Sequence, residues 1–287
     1  MAGPAERNTA IAFRPLNGVS FCRSTGILRT MRLLIVRACA IGDFVLHLPA
    51  LRALAAMHPG ATFTLVGYPS TLTLAKTFLP VDSISSIELQ PWAGLFAGSA
   101  DIPSFDAAWV WMRDSTFATH LRESGIPEVF HADPFPRNSG RHAADHLLHG
   151  LGFSAPELPD LWEARGPAIL HPGSGSASKV WPRFKELAGV LPNARILIGP
   201  SERPLDVSNP CIKDQSLSSV VEELRHCRLF VGNDSGITHI AAYWGTPTVA
   251  LFGPTDPGIW GPLGRRVKVL HRPSLLDISV DDIRKQL

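Results

Sequence analysis

The chain has 287 residues, with 27 Lys and Arg against 25 Asp and Glu, and its basic residues are scattered. That excludes a protein that coats nucleic acid. Cys22, Cys39, Cys211 and Cys227 have no C-x-x-C pairing and no His spacing that suggests zinc, so they read as reduced thiols of a cytosolic protein, and no apolar run reaches the roughly 18 residues that span a bilayer.

Residues 1–30 mix Pro, Gly, Arg and Ser without periodicity and read as a disordered extension lacking the apolar core of a signal peptide. From Met31 the pattern is regular. An apolar run, Leu33-Leu-Ile-Val36, predicts a strand; the turn Arg37-Ala-Cys-Ala-Ile-Gly-Asp43 follows, and Val45, Leu48, Leu51 and Leu54 at helical spacing predict a helix, with Pro49 near its start or kinking it. Further strands are expected over residues 62–66, 86–89, 107–112 and 128–130, interleaved with helices over 72–78, 116–123 and 141–151. Alternation of this kind argues for a parallel sheet with helices on both faces. The stretch Ala155-Pro-Glu-Leu-Pro-Asp160 loses all period, which divides the chain into a first α/β domain over 31–155, a linker over 156–166 and a second α/β domain over 167–287. The second domain carries strands over 168–170, 195–198, 228–231 and 248–252, and helices over 184–191, 217–227 and 236–244. Ser279-Val-Asp-Asp282 fits a capping box that starts a last short helix.

Two turns of the second domain have the character of anion sites. His171-Pro-Gly-Ser-Gly-Ser-Ala-Ser-Lys179 and Gly232-Asn-Asp-Ser-Gly-Ile-Thr-His239 each follow an apolar run and open a helix, whose unpaired N–H groups carry the positive end of the dipole. Ser174, Gly175 and Lys179 of the first turn and Asp234, Ser235, Gly236 and His239 of the second are candidates to meet a diphosphate. The first turn is neither a Walker A motif nor G-x-G-x-x-G, which disfavours an oxidoreductase. In the first domain the matching turn offers a carboxylate, Asp43. Spacing alone leaves it evenly balanced between a general base and a helix cap, and a helix terminus tends to depress its pKa. Phe252-Gly-Pro-Thr255, Pro257 and Trp260 form a rigid loop past a strand end, where cleft walls lie. Arg37, Arg113 and Asp114 read as ordinary surface charges before an acceptor-side role. No pair of acids has D-x-D spacing, and no metal site is expected.

Arg37-Ala-Cys-Ala-Ile-Gly-Asp43 with Leu48-Pro-Ala-Leu51, His171-Pro-Gly with Lys179-Val-Trp-Pro182, and Gly232-Asn-Asp-Ser-Gly-Ile-Thr-His239 with Leu251-Phe-Gly-Pro-Thr255 resemble, in order, the motifs of glycosyltransferase family 9, the ADP-heptose:lipopolysaccharide heptosyltransferases. The resemblance runs from Met31 to the end. It implies a GT-B fold, two Rossmann-like doubly wound domains facing across a cleft, with Asp43 as catalytic base on the acceptor side. Lys179, Asp234, Ser235, Gly236 and His239 would hold a nucleotide-sugar, with Ser235 standing where Thr is common. The implied reaction is an inverting, metal-independent transfer, without cofactor, from an ADP-linked donor to a lipopolysaccharide core or related glycan. Its setting would be the cytoplasm, in peripheral contact with the inner membrane face. A nucleotide-sugar epimerase of similar fold, or a family member that binds nucleotide without transfer, are the alternatives.

Overall fold

The computed structural model describes residues 30–98, 100–137 and 139–287. The extension expected over 1–30 lies, but for Thr30, outside the described residues.

The first half builds one parallel five-stranded sheet, ordered β3-β2-β1-β4-β5. Its elements are β1 (Arg32–Arg37), α1 (Ile41–Met57), β2 (Thr62–Gly67), α2 (Pro69–Leu72), β3 (Val81–Ser86), β4 (Ala107–Trp111), α3 (Thr116–Glu123), β5 (Val129–Ala132) and α4 (Ala143–Gly150). Central β1 is buried on both faces from Leu33 onward, as a parallel strand between helix layers must be. Pro49 sits inside α1. The expected strand over 86–89 begins earlier, at Val81, because edge strand β3 is half-exposed and Ser-rich and lacks the apolar run of its neighbours. In place of a regular helix over 72–78 there is the single turn of α2 and a 3-10 segment, Thr73–Thr77.

The second half builds a parallel six-stranded sheet, ordered β11-β10-β9-β6-β7-β8. Its elements are β6 (Ile169–His171), α5 (Phe184–Val190), β7 (Arg195–Leu197), β8 (Cys211–Ile212), α6 (Leu217–His226), β9 (Phe230–Asn233), α7 (Gly236–Tyr243), β10 (Thr248–Phe252), α8 (Pro257–Trp260), β11 (Val267–His271) and α9 (Val280–Arg284). Edge strands β8 and β11 were not expected: one has two residues and the other is mostly exposed, so neither shows an apolar run. The capping box at Ser279 and Asp282 is formed in both directions.

The two sheets share an apolar core. Leu33, Ile35, Leu48 and Leu51 of the first half belong to one buried cluster with Phe230, Ile240, Tyr243 and Trp244 of the second. The stretch 153–165 carries no helix or strand, yet it is fastened along the second half. Leu161 N–H donates to the Trp244 carbonyl at 3.0 Å, Arg165 N–H donates to the His226 carbonyl at 2.9 Å, and Arg266 binds Asp160 at 2.7 Å.

Candidate active site

Helices α1 and α7 begin where β1 and β9 end, so their first turns meet at the carboxyl edges of the two sheets, where open α/β folds bind ligands. They meet closely. A Cβ added to Gly236 would lie 2.7 Å from Ile41 Cβ and 3.1 Å from the Gly42 nitrogen, and one added to Gly42 would lie 3.2 Å from the His239 ring. Beside this contact opens a cleft of about 460 Å³. Asp43, Ser174, Gly175, Lys179, Asp234, Ser235, Gly236 and His239 all line it, so the catalytic and donor-side candidates converge on one space, whereas Arg37, Arg113 and Asp114 are not among its lining residues. Thr255 and Trp260 form part of the wall, as the rigid loop suggested. Leu46 and Phe135 also line it. Phe135 follows β5 in a segment without period, so nothing in the sequence marks it.

Asp43 is the third residue of α1, whose N-cap residue, Ala40, supplies no side-chain cap. Its carboxylate makes no hydrogen bond and no ion pair within 4.0 Å among the described residues, so it is not spent on capping the helix. Burial raises its pKa above the usual carboxylate range, and this outweighs the lowering influence of Arg37 and Lys179. The expected depression by the helix terminus is therefore overturned by desolvation, which disfavours the charged form. Arg37 is not the surface charge the sequence reading favoured: it is 3% exposed, donates to the Trp111 carbonyl at 3.4 Å and places its guanidinium 5.8 Å from the Phe135 ring. Exposed Arg113 lies 4.7 Å over the same ring. Asp114 accepts from Thr116 N–H at 2.7 Å at the start of α3 and does not reach the cleft.

Across the cleft, Lys179 Nζ is 2.6 Å from Asp234 Oδ2, an ion pair in which the Asp is 8% exposed. His239 Nε2 stands 4.0 Å from Asp234 Oδ1, but burial lowers the His239 pKa to about 4, so the ring is neutral at pH 7 and this contact is not an ion pair. A neutral ring donates through one nitrogen only.

The two anion turns differ from the sequence picture. The Gly173–Ser176 loop opens only one 3-10 turn, Ala177–Lys179, and α5 starts later, past Pro182. Its glycines have unlike roles. A Cβ on Gly173 would overlap the Glu202 carboxylate, whereas one on Gly175 would meet nothing within 4 Å among the described residues. Asn233, fully buried at the end of β9, ties the turns together: its amide donates to the Pro172 carbonyl at 2.8 Å, and its oxygen accepts from Trp181 N–H at 3.0 Å. Ser174 Oγ donates to the Asp234 carbonyl at 2.9 Å. The sequence reading included Asn233 in the Gly232–His239 turn but gave it no role of its own.

Two Rossmann-like sheets sharing a cleft at their carboxyl edges are the GT-B arrangement. E. coli ADP-heptose lps heptosyltransferase II has this fold, with a TM-score of 0.74 at 18% identity over 89% of this chain and 97% of that one. E. coli heptosyltransferase WaaC with ADP gives 0.68 at 19%, over 89% and 98%. Lipopolysaccharide heptosyltransferase 1 of E. coli K12 is 21% identical across 90% of this chain and 99% of its own length. Its counterpart in Pseudomonas aeruginosa is 44% identical over 127 residues, 42% of this chain and 31% of the relative. The protein is a glycosyltransferase of the GT-B class. The family model described as glycosyltransferase family 9 (heptosyltransferase) matches residues 142–276, and similarity to a heptosyltransferase extends over 90% of the chain.

Proposed function

We propose that this protein transfers a heptose from ADP-heptose to a hydroxyl of a lipopolysaccharide core or related glycan, in one inverting displacement that needs no metal ion. The observation that carries the reading is the placement of an unpaired carboxylate, Asp43, in a cleft whose opposite wall holds Lys179 and the first turn of α7. Asp43 takes the acceptor hydroxyl proton while that oxygen bonds to the anomeric carbon from the face away from the diphosphate. The bond to the diphosphate oxygen breaks in the same step, and the ADP leaves with the electron pair. Lys179, the α7 N–H groups and the open backbone at Gly175 meet the charge that develops there. Ser174, Asp234, Ser235 and His239 complete the donor side, which we assign to residues 167–287; residues 31–155 carry the acceptor side, with 156–166 as the linker. The raised pKa of Asp43 supports its role, since a stronger base takes a hydroxyl proton more readily. ADP-heptose is favoured because solved relatives were captured with ADP and with ADP-2-deoxy-2-fluoro heptose. A lipid-linked acceptor would draw the protein to the cytoplasmic face of the inner membrane; among the described residues no helix is long and apolar enough to cross one.

The test is a transfer assay with ADP-heptose and a heptose-free core acceptor in excess EDTA. Product with inverted anomeric configuration is expected. A strict Mg²⁺ requirement, or isomerised sugar without acceptor, contradicts the reading.

A further inference from the structure

His171 ends β6 and is 2% exposed, yet both of its ring nitrogens are engaged. Nε2 lies 3.2 Å from Glu202 Oε1, and Nδ1 lies 3.3 Å from Ser235 Oγ. An ionised carboxylate only accepts, so Nε2 carries the proton facing Glu202. In the neutral ring that leaves Nδ1 as an acceptor for the Ser235 hydroxyl hydrogen, which it shares with Thr238 Oγ1 at 3.1 Å, whose own hydrogen goes to the Asn233 carbonyl. Ser235 in turn is the N-cap of α7, its oxygen receiving Thr238 N–H at 3.4 Å.

Glu202 is seated deliberately. It accepts Gly199 N–H at 2.7 Å, and its carboxylate fills the place a Gly173 side chain would take. Burial alone would raise its carboxyl pKa, but the hydrogen bonds from His171 and Gly199 hold it below the ordinary range, so it stays an acceptor.

We propose that Glu202 and His171 are a positioning pair that holds the Ser235 side chain in its N-capping place and so aims the backbone N–H groups of the first turn of α7 at the donor diphosphate. The glycine of the His171-Pro-Gly motif then exists to admit a carboxylate of the protein itself. The proposal rests on the assignment of the first turn of α7, which Ser235 caps, to the donor.

A double-mutant cycle read by calorimetric titration of ADP tests it, with donor KM and kcat measured alongside. His171→Ala and Ser235→Ala should each weaken ADP binding about fivefold to tenfold, the loss of one hydrogen bond. The double mutant should bind no more weakly than the worse single, with donor KM raised and kcat within about twofold. Glu202→Gln keeps an acceptor and should bind like wild type, while Glu202→Ala should behave like His171→Ala. If His171→Ala does not fold, the cycle of Glu202→Ala with Ser235→Ala carries the same information. Additive losses overturn the pairing. A Glu202→Ala loss that persists in the His171→Ala background also overturns it, since the carboxylate then touches the nucleotide itself. A Ser235→Ala protein that binds ADP like wild type removes the Ser235 assignment and the pairing together, whereas a wild type that binds no ADP removes the donor reading as a whole.

Discussion

Each charged residue of the cleft is governed by what surrounds it in the folded chain. Lys179 was legible as a cation near a Gly/Ser turn, but its ion pair with Asp234 at 2.6 Å joins residues far apart in sequence, and no spacing forecasts it. In the proposed function a diphosphate competes with a buried carboxylate for this lysine. Lys179→Ala should weaken ADP binding by about tenfold or more at low ionic strength, with a smaller loss at high salt, because a charge-assisted contact is removed. The same substitution strands Asp234 at 8% exposure, so thermal unfolding should register a loss of ~1–3 kcal/mol. A variant that binds ADP normally at both salt concentrations would remove Lys179 from the donor site. Asp43 shows the converse. Its place in a strand-to-helix turn was readable, but not its burial, and burial sets its basicity against the helix dipole.

At the level of elements, the strands with unbroken apolar runs and the helices with clear period stood out in the sequence; β8, β11 and the true span of β3 did not, being short or half-exposed edges. The glycines were read as room for phosphate, and only Gly175 keeps that freedom. Gly236 is small because α1 is there: its Cα faces Ile41 and the Gly42 nitrogen across the junction of the two halves. Gly236→Val should accordingly push α1 and α7 apart, costing ~1–3 kcal/mol of stability as an overpacking change, along with any donor affinity. Ile41→Gly in the Gly236→Val background should restore part of that stability as read by chemical denaturation. No recovery would show that the helix contact is not what the glycine serves.

For the molecule as a whole, a cleft between two similar domains was foreseeable from the repeated strand-turn-helix pattern. The apolar core that runs from Leu33 to Trp244 was not, since each residue in it reads as the interior of its own half. The buried histidines give this core a pH limit. His239 titrates at about 4 when folded against 6.5 as a free side chain, and burial holds fully enclosed His47 well below 6.5 as well. Between those values the unfolded chain binds more protons than the folded one, so stability is fully present above about pH 6.5 and drains away as pH falls toward 4. The melting temperature should drop between about pH 7 and about pH 4.5, and less so in His47→Leu, which removes one group that must stay neutral; an equal drop in that variant would place the acid sensitivity elsewhere. In the proposed reaction the chemistry rests on one carboxylate facing a donor-binding wall, and turnover of Asp43→Asn beside its ADP affinity tests that most directly. With Asp43 free of hydrogen bonds among the described residues, the variant should fold and bind ADP as wild type does, while kcat falls by about 10² to 10⁴. Transfer at a near-normal rate by the folded variant would contradict the account, for the base would then have to lie elsewhere.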